Sequence, residues 1–158
     1  MPDVEPVVEA ILRAKYPNQY RELVPGAWIL VQGEACVVIT AADSDQGYSY
    51  ARAVVPLAVD VPLSSALDAF VARVGRNYEI GRFFLCDRPD QQSTMVVVEE
   101  FMPGILFDGA NPGALKFMWN VFVSLLNMFD DPGAGGYVRA TFGGRPLDQQ
   151  TEALLMMF

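Results

Sequence analysis

Three neighbouring stretches decide the fold: WILVQ at 28–32, ACVVITA at 35–41 and YSYARAVV at 48–55. Each is strand length and rich in Val, Ile, Ala or aromatic residues. They are separated by Gly33-Glu34 and by Asp43-Ser44-Asp45-Gln46-Gly47, residue types that favour turns. Three such runs joined by short turns predict an antiparallel meander.

Upstream, Val4, Val8, Ile11 and Leu12 recur at helical spacing, with Asp3 as a cap and Pro17 as a stop. Residues 3–15 are therefore expected to form an amphipathic helix, followed by a polar connection ending in Pro25-Gly26. Downstream, Ser64 or Ser65 can cap a helix with Leu67, Phe70, Val71 and Val74 on one face, and Gly75 suits the position just past its end. Two further strands are expected near 78–87 and 93–101, separated by Arg88-Pro89-Asp90. Asn111 as cap and Pro112 at the first helical position open a long helix running to about Asp131, with Pro132 to Gly136 as its terminator. The segment 148–158 could add one short helix, and 146–158 is expected as an extra helix or tail.

The order α-β-β-β-α-β-β-α groups strands rather than alternating them with helices. It predicts an α+β fold: an antiparallel sheet of about five strands with helices packed mainly on one side. The chain of 158 residues and 17.4 kDa suits a single domain spanning 1–158, with no repeat or linker to divide it.

Composition narrows the chemistry. The chain is 52% hydrophobic, yet 19 acidic groups against 11 basic ones give a net charge of −8. That charge repels phosphate backbones and anionic membrane surfaces, so neither nucleic acid nor membrane is expected as a partner. The apolar stretches fall short of the roughly 20 residues a membrane span needs. The first residues carry Asp3, Glu5 and Glu9 without a basic n-region or apolar h-region, so no signal peptide is read and a cytoplasmic location is expected. Cys36 and Cys86 lie in apolar strand-like runs and are expected as free, reduced thiols; the sequence does not show whether they are adjacent.

The absence of histidine removes the commonest general base, the Ser-His and Cys-His nucleophile pairs and most zinc sites. The Asp43 to Gly47 loop resembles a calcium loop only in its alternating carboxylates, since Tyr48 and Val54 occupy the places of the required Gly and Glu. Glu99 and Glu100 are strand neighbours and point to opposite faces, so they cannot act together on one substrate. Asp130-Asp131 would close the last turn of the long helix, on solvated surface. The glycines at 133–136 and 143–144 lack the strand-loop-helix setting and the Lys-Ser/Thr of a P-loop. No catalytic residue, cofactor site or metal site is assigned.

The long helix carries the remaining signal. Leu115, Met118, Trp119, Phe122, Leu125, Leu126 and Phe129 form one stripe, and Phe117, Val121 and Met128 widen it. Lys116, Asn120, Ser124, Asn127 and Asp131 keep only roughly a quarter of the circumference. Either the second helix or the C-terminal segment covers the surplus, or it is an interface. The interface reading takes Phe117, Val121, Leu125 and Met128 as a protein-binding, peptide-binding or dimer surface.

Several short motifs carry a resemblance. They are Val61-Pro62 before the second helix, Arg76-Asn77, then Gly81-Arg82-Phe83, the strand Val96-Val97-Val98-Glu99 before the long helix, and Thr141-Phe142-Gly143-Gly144-Arg145 after it. In their order and spacing, over roughly residues 3–145, the chain resembles the YbjN-like and type III secretion chaperone-like domains, particularly the actinobacterial branch described as peptide-binding chaperones. It departs from that pattern in its unusually aromatic last helix. The resemblance implies a non-enzymatic module, often a homodimer, that holds protein or peptide segments without a cofactor. It makes Asn77, Gly81, Arg82, Phe83, Phe142, Gly143 and Gly144 chiefly structural. The alternative expectation is a small-molecule-binding or enzymatic α+β domain with an apolar pocket between helix and sheet, for which Arg82 beside Glu99 or Glu100 is the place to look.

Overall fold

A computed structural model of the chain describes residues 4–74, 81–88, 92–104 and 112–157. The fold is α+β: an open, six-stranded antiparallel sheet in the order β1-β2-β3-β4-β6-β5, with helices on one face. The strands are β1 (Tyr20–Val24), β2 (Ala27–Gln32), β3 (Ala35–Asp43), β4 (Ser49–Pro62), β5 (Arg82–Arg88) and β6 (Ser93–Pro103). The helices are α1 (Glu5–Lys15), α2 (Ser65–Val74), α3 (Pro112–Phe129) and α4 (Ala134–Phe142), and a 3₁₀ turn spans Ala153–Met157. Asp3, Gly75, Asn77 and Asn111, to which caps or motif roles were assigned, lie outside the described residues.

The meander forms as expected, but the sheet has six strands rather than five. The sixth is β1, in the stretch read as a polar connection. It pairs with β2 at the sheet edge, where Arg21 and Glu22 face solvent. Charged edge residues discourage sheet-to-sheet association but erase the apolar signature of a strand.

The second difference is β4, which continues past Pro56 to Pro62. Register shifts between Pro56 and Ala58 and between Ala58 and Val61 let the strand absorb a proline that reads as a terminator. The third is α4, in a stretch read as chain breakers. Gly135 and Gly136 are there for close approach: a Cβ at Gly135 would strike the Phe129 backbone, and one at Gly136 would come within 2.7 Å of the Asp131 side chain. The two helices meet across this glycine contact.

Along each central strand, alternate residues serve opposite faces. Trp28, Leu30, Val37, Ile39, Ala53, Val55, Val96 and Val98 join the helices in the main core. Ile29, Cys36, Val38, Val54, Met95 and Val97 face the other way, where Leu147, Ala153 and Met156 of the C-terminal segment cover part of them. The central strands are therefore buried on both sides, which is why they read as unbroken apolar runs.

Candidate functional site

The structure corrects the surface assigned to the long helix. Val121 and Leu125 are fully buried and Met128 is only 7% exposed, all within the main core; only Phe117, at 37%, stays exposed. Neither α2 nor the C-terminal segment accounts for the cover: α1 and α4 pack against α3. On the α1 side, Lys15 Nζ sits 4.3 Å from the centre of the Trp119 ring, and Tyr16 shares a hydrogen bond with Trp119. On the α4 side, the Arg139 guanidinium lies 4.0 Å over the Phe129 ring. It donates to the backbone oxygens of Phe129 (2.8 Å) and Leu57 (2.6 Å). The helix keeps a narrow outer side: Phe117 and Val123 stay exposed beside Lys116, Asn120 and Asn127, and Leu115, expected in the stripe that covers the sheet, is 42% exposed.

The motif residues fall at packing positions. Gly81 has φ +94°, and a Cβ there would collide with Val98. Its N–H donates to the Glu100 carboxylate at 2.7 Å. Phe83 is buried in the main core, and Phe142 packs against the Phe70 ring at 5.4 Å. Gly143 and Gly144 both have positive φ; a Cβ on Gly144 would stand 2.9 Å from the Val59 carbonyl oxygen.

Among the described residues, Met118, Val121, Phe122 and Leu125 fill the layer between α3 and the sheet with no exposure. Two adjoining grooves lie on the opposite face. A groove of about 480 Å³ is bordered by Thr40, Tyr50, Arg52, Phe84, Glu99 and Phe101, with Arg82 and Met157 at its sides. A second groove of about 430 Å³, reaching Asp43, Asp45, Tyr48 and Pro103, shares the Tyr50 and Phe101 wall. The two rings stand 5.8 Å apart, and Phe101 is 49% exposed.

The polar centre of this site is Glu99. Register places it opposite Arg82 on β5 and Val54 on β4, one step from Arg52 on the same face. Its carboxylate, 4% exposed, accepts from Arg52 Nε at 2.7 Å and from the Arg82 guanidinium. The arginines differ sharply: the Arg52 side chain is 14% exposed and Arg82 73%. Arg52 also donates to the Met156 carbonyl oxygen at 2.9 Å. Two guanidiniums on one carboxylate leave a local excess of one positive charge in an acidic chain. Arg82 is free to trade its exposed bond for a ligand carboxylate or backbone oxygen. Glu100, its strand neighbour, points to the helix side.

Arg82 beside Glu99 was expected; Tyr50, Arg52, Phe84 and Phe101 were not. A signal existed in Arg52, a lone cation in the middle of an apolar strand. Cys36 and Cys86 are free thiols on β3 and β5, three strand spacings apart and thus separated by roughly 14 Å. Among the described residues, no cluster of His, Cys, Asp or Glu could hold a metal ion, and no helix is long and apolar enough to cross a membrane.

The chain matches no family model, no curated protein and no solved structure. The likeness to secretion chaperone-like domains rests on its residues alone.

Proposed function

We propose that this chain is a non-enzymatic module that holds a protein or peptide segment in the groove of Tyr50, Phe84 and Phe101. The observation that carries the reading is Phe101: a large aromatic side chain half exposed on a sheet face, beside a second aromatic and a largely exposed arginine. Aromatic and arginine anchors concentrate binding energy at interfaces. From the level of Asp43 to that of Glu99 the groove follows β4 for about five residues, or roughly 17 Å, the span of a short extended segment. Asp43 and Asp45 at one end and Arg82 at the other favour a segment with a cation towards the loop and an anion or free carbonyl towards β5. A cytoplasmic setting and a homodimer complete the proposal. The dimer contact would use either the sheet, whose edges are β1 and β5, or the exposed Leu115, Phe117 and Val123 of α3.

Fluorescence polarisation with labelled apolar-aromatic peptides tests the groove. Binding is expected to weaken at least about tenfold in Phe101→Ser, the loss of a well-packed aromatic anchor. Equal affinity in both proteins, or no peptide bound by either, would refute the reading. Light scattering separates dimer from monomer. A small anionic ligand is the second reading, favoured by the exposure of Arg82; it requires binding that Arg82→Ala removes and Phe101→Ser leaves intact.

A further inference from the structure

The segment after α4 is held over the second sheet face in an unusual way. Among the described residues it makes one isolated bridge to the sheet, Val59 with Arg145, and its one regular element is the 3₁₀ turn Ala153–Met157. It leaves the helix through Gly143 and Gly144, with φ +90° and +94°. Three buried side chains, Leu147, Ala153 and Met156, seat it on Ile29, Cys36, Val38, Val54 and Val97, and Met157 packs beside them partly buried. Leu154 and Leu155 stay exposed.

The rest of its hold is polar. Arg145 pairs with Glu152 at 2.7 Å and with Asp60 at 2.8 Å, and Arg88 approaches Asp60 at 3.2 Å and Glu152 at 3.8 Å, closing a ring of alternating charges. Gln149 donates to the Gly33 carbonyl and accepts at its own carbonyl from Arg21. The far end runs into the groove: Met157 lines it, and Arg52 bonds both Glu99 and the Met156 carbonyl. The covered and uncovered parts of this face are therefore continuous and share a residue.

We infer that residues 146–157 are a displaceable strap, an intramolecular stand-in for the client. The binding surface of the chain is then the whole second face of the sheet. Its partner is an apolar segment bearing Leu and Met with a carboxylate placed to meet Arg145 and Arg88, the chemistry the strap presents there. This rests on the holding role proposed above and extends it to the covered half. A segment with few buried side chains opens locally well before the sheet beneath it unfolds. Competition follows, because a site open only part of the time binds more weakly in proportion to its open fraction.

The test uses the full chain and a fluorescein-labelled peptide of the strap sequence, residues 146–157. Met156→Asp removes the buried anchor. Glu152→Arg keeps every apolar side chain and reverses one member of the charge ring, so it serves if the first variant does not fold. Both variants are expected to bind the peptide about tenfold or more tightly than the unaltered chain. Hydrogen exchange is expected to show faster exchange for the strap amides than for β3, β4 and β6. Strap amides that exchange only with the sheet, or released variants that bind the peptide no better, would overturn the inference. The groove reading fails separately. If Phe101→Ser abolishes binding of apolar-aromatic peptides while strap release changes nothing, the groove stands and the strap proposal falls. If strap release exposes a binding face but Phe101→Ser has no effect on any peptide, the strap proposal stands and the groove falls.

Discussion

Replacing Glu99 by Gln keeps the shape of the side chain and removes the charge on which two arginines converge. At 2.7 Å from Arg52 the gross attraction is about 6 kcal/mol at an effective dielectric near 20, most of it offset by the desolvation of both ions. What remains after substitution decides the cost. Arg52 is 14% exposed and would keep two neutral acceptors, the new amide oxygen and the Met156 carbonyl, but no counter-charge, whereas Arg82, at 73%, would turn to water. Stranding one mostly buried guanidinium is expected to lower stability by about 2–3 kcal/mol, below the full penalty for a completely buried broken pair. Arg82→Ala removes an exposed partner and should cost less than about 1 kcal/mol. Urea unfolding followed by circular dichroism measures both. The double variant Arg52→Met, Glu99→Met should recover much of the loss, because an apolar pair leaves no ion unpaired. Equal costs for Glu99→Gln and Arg82→Ala, or a cost under about 0.5 kcal/mol for Glu99→Gln, would refute the asymmetry argued from burial.

Leu125→Ala is expected to destabilise by about 3–5 kcal/mol and Phe117→Ala by about 1 kcal/mol or less, since the first empties a fully buried site and the second trims an exposed ring; similar costs would return α3 to the surface. Arg145 holds the Glu152 carboxyl down at about 2, against an ordinary value of 4.5, with Arg88 assisting and Asp60 and Asp148 nearby. The stabilisation is complete above the ordinary value and is lost as pH falls through about 2. Screening at the half-exposed Arg145 limits it to about 1–2 kcal/mol, and a Glu152→Gln chain whose stability falls as steeply over that interval would contradict the assignment. Burial pushes the Cys36 thiol up to about 12 and raises Cys86 less completely enclosed at the sheet edge, so a thiol reagent at pH 8 should label Cys86 first in the native state; equal labelling rates, or a disulfide between them, would contradict the placement.

The meander and the long helix were legible because burial leaves a periodic trace in apolar residues. Elements without that trace were not. β1 keeps Arg21 and Glu22 in solvent, and α4 opens on glycines whose role is visible only once the Phe129 backbone is beside them. Missing α4 had a consequence for the site: with one of the two helices that pack on α3 absent, its surplus apolar face fell to the second helix, the C-terminal segment or an interface. The groove was hidden differently. That Glu99 and Phe101 share a face follows from their spacing, as does the pairing of Tyr50 with Arg52. The register that sets Arg52 opposite Phe101 depends on how far the chain travels through turns and bulges, and no local pattern encodes it.

The two faces of the sheet are covered unequally, and this bears on where function can reside. On one side four helices interlock through side chains such as Phe122, Leu67, Met118 and Leu12, all without exposure. Opening that side would expose the main core and unfold the chain. On the other side one strap with three seated side chains covers the middle of the sheet and leaves Phe101 at the margin. A surface that must accept and release a segment has to open at less cost than the fold itself. The helix face fails that requirement whatever its sequence, and the strap face meets it. The acidic excess is consistent with this division, since a chain that periodically bares apolar strands stays soluble through charge repulsion between copies.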